Sequence, residues 1–314
     1  MKAMFLSEQN GPFRTIDEFV DGAWVSLIDP TKAEIEEVSA EFGIEHDHLH
    51  AALDIEERSR VTAEEGYVLI LVDVLTSELR GGQSWYATIP LAIIIAPRGI
   101  VTVCLQKVPV LAAAESGRIR SLATTLKSRF AIQLLLRSAG VYLGALKNIE
   151  KMTDDAEINL RRSTRNRELV DMLEIQKSLV YISTSLASNQ RVLDRIVRTT
   201  IVKKYPEDDD LLQDTIVENE QAIEMANIYS GILSGTMDAY ASVISNNQNA
   251  IMKTLALVTI VLSIPTMIFS AYGMNVELTG MPFAHSFWGF LIVVGFSFLL
   301  AVAAVVIFIR MRWF

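Results

Sequence analysis

Cysteine is nearly absent from this sequence, since Cys104 is the only one in the chain. A single cysteine excludes a disulfide framework or a thiolate metal site within one chain, and its apolar surroundings predict a small core side chain. Basic residues are also in deficit, because 28 Lys and Arg stand against 37 Asp and Glu, a formal net charge of −9. Phosphate binding needs clustered positive charge, so we expect no nucleic-acid partner.

Several motifs are missing as well. No segment matches a P-loop, a dinucleotide fingerprint, a nucleophile elbow or a zinc-protease helix, which argues against an enzyme, an organic cofactor and an ATP-driven pump. The first residues, MKAMFLSEQNGPF, lack the apolar core of a signal peptide. The N-terminal part is therefore expected to remain in the compartment where it is synthesised.

Charge is missing altogether from two long stretches near the C-terminus, residues 254–276 and 286–309. Each exceeds 20 residues, and at about 1.5 Å per residue either one crosses a hydrocarbon core of about 30 Å. We predict a first transmembrane helix at 254–272, an extracytoplasmic loop at 273–285 and a second transmembrane helix at 286–309.

The charges that flank these spans predict their orientation. Lys253 precedes the first span, Arg310 and Arg312 follow the second, and the connection carries Glu277 with no Lys or Arg. Because basic residues are retained on the cytoplasmic side, both termini should be cytoplasmic, with a basic cytosolic tail at 310–314. The sequence thus predicts a multi-pass protein of the cell (inner or plasma) membrane, in contact with the lipid bilayer.

The soluble part begins with alternating strand and helix signals. Val- and Ile-rich runs predict strands at 23–28, 67–75, 85–95 and 100–105, and Thr31 with Glu34 forms a capping box for a helix that ends near Gly43. Apolar spacing of three to four then predicts two long antiparallel helices, roughly 123–165 and 168–203. The predicted fold is an α/β cytosolic domain (1–108) followed by long antiparallel helices (109–204), a very long stalk helix running into the membrane, and two C-terminal transmembrane helices.

The stalk helix has a recognisable start. Glu207 and three aspartates follow Pro206, and carboxylates are favourable beside the free N–H groups of a helix N-terminus. No proline follows until Pro265, so one helix should run from about 207 through the first span, with 205–253 as cytosolic stalk and a length of roughly 95 Å. A helix that links cytosol and bilayer favours a gated pore over a passive anchor.

A stripe of mostly polar or small residues runs along the first span and the turn before it. They are Asn249, Met252, Ala256, Thr259, Ser263, Thr266 and Ser270, at spacings of 3, 4, 3, 4, 3 and 4. At about 100° per residue they fall within an arc of about 100°. The stripe either lines a pore on the axis of a symmetric oligomer or forms a dry packing seam, since small hydroxyl residues also allow close helix approach.

The outer end of this helix reads Ala271-Tyr272-Gly273-Met274-Asn275. In this signature, followed by a short acidic loop and a final span with basic residues, the chain resembles the CorA family of magnesium channels. The resemblance covers the architecture of the whole chain, and its motifs match over 205–314. It implies a homopentamer that transports divalent cations and is regulated by Mg2+.

The resemblance also implies roles for particular residues. Gly273, Met274 and Asn275 would form the selectivity mouth, and Asn249 a second polar ring at the cytosolic end of the pore, with Met252, Thr259, Ser263, Thr266 and Ser270 lining it. Asp238 would be an acidic gate residue. Asp214 would belong to a regulatory magnesium site between subunits, with Asp73 and Glu78 as candidate partners.

Two other functions stay open. A zinc transporter of the same superfamily is one, because the loop after Asn275 differs from the familiar magnesium versions and His285 could bind a softer ion. The other is a membrane-tethered scaffold or signalling protein whose stalk only dimerises. His46, His48 and His50 could suggest a further metal site, but histidines two apart on a helix do not share a face, so an exposed turn is expected there.

Overall fold

The computed structural model describes residues 1–7, 13–80, 83–119, 122–162, 167–199, 202, 208–275, 280–283 and 286–310. The chain divides into two compact units, Met1–Thr236 and Met237–Phe314. The strands are β1 (Lys2–Leu6), β2 (Arg14–Ile16), β3 (Ala23–Ile28), β4 (Arg60–Glu64), β5 (Tyr67–Arg80), β6 (Gln83–Ile95) and β7 (Gly99–Cys104). The helices are α1 (Lys32–Phe42), α2 (His46–His50), α3 (Pro109–Glu115), α4 (Lys127–Arg162), α5 (Arg167–Arg198), α6 (Asp208–Tyr272) and α7 (Gly289–Arg310).

In the described part of the first unit, the strands form one sheet of order β2-β1-β3-β7-β6-β5-β4. The predicted meander of β5, β6 and β7 is confirmed, since these strands pair antiparallel in sequence order. Strand β4, which was not predicted, extends it by pairing antiparallel with β5. The central pair β3 and β7 is parallel. Both strands are almost wholly buried, as expected for strands with helices on either face of the sheet.

One face of the sheet carries α1 and α2, and the other carries α3, α4, α5 and the first turns of α6. The predicted capping box of α1 is present: the Glu34 N–H donates to Thr31 Oγ1 at 3.3 Å and the Thr31 N–H donates to the Glu34 carboxylate at 2.8 Å. Gly43 ends the helix at φ 66°, a left-handed conformation that glycine adopts without steric cost.

Helices α4 and α5 are antiparallel, as predicted. Leu135 and Leu193 line one small cavity, whereas Asn148 and Ser178 both hydrogen-bond to Tyr86. Residue numbers therefore rise along α4 as they fall along the facing positions of α5.

The first turns of α6 complete this helical layer. Arg129 Nε of α4 donates to the fully buried Asp208 carboxylate at 2.6 Å. Further along, the Asn219 side chain donates to Gln190 Oε1 of α5 at 2.7 Å, and Tyr229 OH donates to Glu150 of α4 at 2.9 Å. The helix predicted to start at about 207 begins at Asp208, with acidic residues in its first turn.

The second unit contains the rest of α6 and all of α7. Both helices are long and apolar enough to cross a membrane. On α7 the buried positions are Gly289, Val293, Ser297 and Ala301, at a spacing of four. On α6 the partly shielded positions include Leu257, Val261, Ile264 and Ile268. These matching stripes are the faces through which the two helices pack.

Some predictions of local structure were wrong. Strands β1, β2 and β4 were not predicted, because they are short and lack a clear alternation. Residues 46–50 form a single helical turn, in which His46 and His50 are exposed as predicted. Its His48 is half-buried, with Nδ1 at 2.6 Å from Tyr67 OH.

Candidate functional site

The polar stripe of α6 faces away from α7. Its members, Asn249, Met252, Ala256, Thr259, Ser263, Thr266 and Ser270, are all exposed in the single chain. At about 100° per residue, the mean direction of this stripe is about 140° from that of the shielded positions 257, 261, 264 and 268. The stripe is therefore not a packing seam within one chain.

Three of the hydroxyl groups on this stripe bond to carbonyl groups of their own helix. Thr259 Oγ1 donates to the Leu255 carbonyl at 2.8 Å, Ser263 Oγ to the Thr259 carbonyl at 2.7 Å, and Thr266 Oγ1 to the Leu262 carbonyl at 2.8 Å. Because this local pattern uses up the hydroxyl protons, the side chains do not need a neighbouring helix as a hydrogen-bond partner.

The same register continues towards the N-terminal end of this unit. Ser245, Ala241 and Asp238 precede Asn249 by 4, 8 and 11 residues, which keeps them within the arc of the stripe. All three are exposed in the single chain. Asp238 thus shares a face with Asn249 and the hydroxyl residues.

The proposed mouth lies directly after the last turn of α6. The Gly273 N–H donates to the Phe269 carbonyl at 2.9 Å, and the Met274 N–H donates to the Ala271 carbonyl at 3.4 Å. Met274 is 60% exposed, and Asn275 is also exposed. The helix thus ends by presenting these side chains outward, and the Asn275 amide is available to solvent in the single chain.

The carboxylates proposed for regulation lie in different settings. Asp214 and Glu78 are exposed. Asp73 is half-buried under α4 and α5, and its carbonyl oxygen accepts hydrogen bonds from Tyr142 OH at 3.0 Å and from the Asn189 amide at 2.8 Å. Burial raises the pKa of the Asp73 carboxyl, although a hydrogen bond from Ser185 partly offsets this. Asp73 is therefore less accessible to a solvated ion than Glu78.

No group of three or more His, Cys, Asp or Glu side chains within the described residues could hold a metal ion. The histidines at 46, 48 and 50 accordingly form no such group. Cys104 is buried as predicted, and burial raises the pKa of its thiol to about 11. Residues Glu277, His285 and Arg312 lie outside the described part of the chain.

Two contacts of the described structure were not foreseen from the sequence. One is the buried Arg129–Asp208 ion pair, and the other is a hydrogen bond from Tyr272 OH to the Pro282 carbonyl. Both join residues that are distant or unremarkable in the sequence. Asp208 stands at a predicted helix start and Tyr272 before a loop, and neither position indicates in the sequence which residue it will contact.

Comparison with known proteins connects this geometry to a family. Residues 21–310 match the family described as CorA-like Mg2+ transporter protein. The chain belongs to this family. The CorA-like family is one of membrane transporters, and the predicted fold class is confirmed.

The relatives cover nearly the whole chain. The cobalt/magnesium transport protein CorA of Methanocaldococcus jannaschii is 27% identical over 299 residues, which is 92% of this chain and 90% of the relative. The protein of the same name from Thermotoga maritima is 24% identical and covers 92% of this chain and 83% of the relative. The solved complete structure of the CorA magnesium transporter from M. jannaschii matches with a TM-score of 0.84 at 24% identity, over 100% of this chain and 99% of that chain.

Proposed function

We propose that this chain is a subunit of a channel that admits Mg2+ into the cytoplasm, with Co2+ and Ni2+ as further cargo. The carrying observation is the uncharged polar stripe of α6, which is exposed in the single chain and directed away from α7. Two spans cannot enclose a path, so the channel requires several copies around one axis, and we propose a pentamer. The names of the relatives support magnesium and cobalt as cargo.

Selection at the mouth would act on the hydrated ion. Mg2+ prefers six oxygen ligands and gives up its water slowly. A ring of Asn275 amide oxygens can accept hydrogen bonds from the bound water without removing it, whereas a carboxylate ring would attract any cation by charge. The uncharged stripe from Asn249 to Ser270 fits the passage of an ion that keeps its water.

The proposed topology follows from the flanking charges. Lys253 and Arg310 lie at the ends of the two spans that we assign to the cytoplasm, and the mouth at 273–275 is then extracytoplasmic. Cations would enter past Asn275 and leave past Asn249 and Asp238.

Ion flux into proteoliposomes tests this proposal. We expect wild-type protein to conduct Mg2+ and Co2+, and Asn275→Ala to lose most of this flux. Asn247→Ala is a matched control, because Asn247 is exposed but lies about 150° away from the stripe. Absence of wild-type flux, or equal loss in the control, would contradict the assignment.

Two further measurements address the alternatives. Mass in detergent separates the channel from the scaffold, since five subunits favour the channel and two favour the scaffold. Uptake of Mg2+, Co2+, Ni2+ and Zn2+ in cells without their own magnesium transporters separates magnesium from zinc transport. Uptake of zinc that depends on His285 would replace the magnesium proposal.

Intracellular Mg2+ would also regulate the channel. Asp214 and Asp238 are exposed carboxylates on α6, and in an oligomer such groups repel one another when empty and are bridged when Mg2+ binds. Bound Mg2+ would hold the closed state, and its loss would release it. We expect Asp214→Asn with Asp238→Asn to abolish inhibition of flux by internal Mg2+. Unchanged inhibition would remove these residues from the regulatory site.

A further inference from the structure

The segment that follows the mouth is held by the last residue of α6. Tyr272 OH donates to the Pro282 carbonyl at 2.7 Å, ten residues further along the chain. The mouth residues 273–275 are the first three residues of the connection that this bond closes. Their position therefore depends on a contact made beyond them.

The same segment is held a second time at the first turn of α7. Gly289 is buried, and a Cβ at this position would overlap the Phe283 carbonyl oxygen. The Ser286 N–H donates to that carbonyl at 3.1 Å. Phe283 itself has φ 62°, a left-handed conformation that disfavours an L side chain and is kept only when surrounding contacts impose it.

These contacts surround one groove of about 730 Å3. It is lined by Phe269, Tyr272, Gly273, Met281, Phe283, Ser286, Gly289, Phe290, Val293 and Val294. The first mouth residue, Gly273, therefore shares a groove with the held segment and with the start of α7. A movement of residues 281–283 would change the surroundings of the mouth directly.

We propose that Tyr272 and Gly289 are positioning residues for the mouth. Together they fix the segment 280–283 against both helices, and this holds Asn275 at one depth in every subunit. Recognition of a hydrated ion through water needs all amides of the ring at matching distances from the axis. The inference rests on the proposed channel function and assigns to these residues control of ion recognition.

Tyr272→Phe is the decisive variant, because it removes one hydroxyl and keeps the ring that lines the groove. In proteoliposomes we expect the half-saturating Mg2+ concentration to rise about fivefold, as for the loss of one hydrogen bond. The preference for Mg2+ over Ca2+ should fall by a similar factor. Maximal flux, the mass of the oligomer and its melting temperature should stay at wild-type values, which separates positioning from a structural role.

Gly289→Ala tests the second contact, and Gly295→Ala is its matched control in the same helix. A Cβ at Gly295 meets no atom within 4 Å, so this variant should transport like wild type. Gly289→Ala should displace Phe283 and weaken Mg2+ recognition at least as much as Tyr272→Phe. If Gly289→Ala does not assemble, Tyr272→Phe alone decides.

The outcomes are distinguishable from failure of the channel proposal. Wild-type protein that conducts no divalent cation contradicts the proposed function. Wild-type flux with an unchanged half-saturating concentration and unchanged ion preference in Tyr272→Phe overturns the positioning role alone. A fall in maximal flux and melting temperature without a change in preference also overturns it, since that pattern belongs to a structural contact.

Discussion

The two units of this chain differ in where their polar side chains find hydrogen bonds and in how much apolar surface they expose. In Met1–Thr236, polar groups bond across elements: Trp24 Nε1 donates to Thr102 Oγ1 at 2.9 Å, and Ser185 Oγ donates to Thr88 Oγ1 at 2.8 Å. In Met237–Phe314, the hydroxyls of α6 bond back to their own helix, and large apolar side chains such as Phe290 and Phe298 are exposed.

The difference is that the first unit buries much of its apolar surface within itself, whereas the second leaves much of its apolar surface exposed. The first unit buries its large apolar side chains around the sheet. The second exposes large apolar side chains along both of its described helices, as a surface that contacts lipid does.

The largest expected effect is a loss of stability in the first unit when its buried ion pair is broken. Arg129→Ala removes the charged donor that bonds to the buried Asp208 carboxylate at 2.6 Å, which should lower the free energy of unfolding by about 1.5–3 kcal/mol. Denaturant unfolding can be followed by tryptophan fluorescence after Trp288 and Trp313 are replaced by Phe. Lys177→Ala is the control, because its pair with Glu174 is exposed and should contribute about 0.5 kcal/mol or less. A small loss in Arg129→Ala would mean that water reaches Asp208.

A second test concerns the polar stripe of the second unit. Ser263→Leu would place an apolar ring on the proposed axis and disfavour water there, which should reduce Mg2+ flux by about tenfold or more, or roughly 1.4 kcal/mol in the barrier. Val258→Leu adds a similar side chain on a face about 130° away and should conduct normally. Equal flux in both variants would indicate that the stripe does not face the conduction path.

Thiol labelling sharpens the comparison without measuring flux. Cys104 is fully buried with a pKa of about 11, so the native protein should resist a water-soluble thiol reagent, since the thiolate is the reactive form. Thr259→Cys should react readily and Val258→Cys slowly, because only the former would face water. Similar rates at positions 258 and 259 would contradict a water-filled axis.

The smallest effect is a pH dependence in the first unit. The Asp73 carboxyl has a pKa above its ordinary value of 3.8 because of burial, so the folded state binds its proton more tightly than the unfolded state. Stability is therefore lost as pH rises from the ordinary pKa through the raised one. Asp73→Asn removes this loss of stability. The difference in melting temperature between the variant and wild type should therefore shift in favour of the variant as pH rises from acid to neutral. A constant difference would indicate a solvated carboxyl.

Local signals account for the parts of the fold that the sequence predicted. The capping box at Thr31, the strands at 67–75 and 85–95 and the long apolar spans depend on neighbouring residues, so their patterns could be interpreted directly. The parallel pairing of β3 with β7 could not, because it joins strands about 75 residues apart in the sequence and no periodicity encodes a partner.

One part of the candidate site could likewise be predicted from the sequence, and another part could not. The stripe from Asn249 to Ser270 was visible because it lies on one helix, and the structure adds that this face is directed away from α7. The contacts that hold residues 280–283 could not be predicted. The Tyr272 hydroxyl and the small size of Gly289 matter only after the two helices have folded next to this segment. In the sequence, Gly289 is an ordinary glycine of an apolar run.

The back-bonded hydroxyls of α6 have a consequence for the sign of the ion. Thr259, Ser263 and Thr266 donate their hydroxyl protons to carbonyls of the preceding turn, so toward the proposed axis these hydroxyl groups would offer lone pairs alone. Water around a cation turns its hydrogens outward and meets acceptors along such a wall. Water around chloride turns its oxygens outward and finds no donor there. A lining without net charge can thus favour one sign of ion over the other.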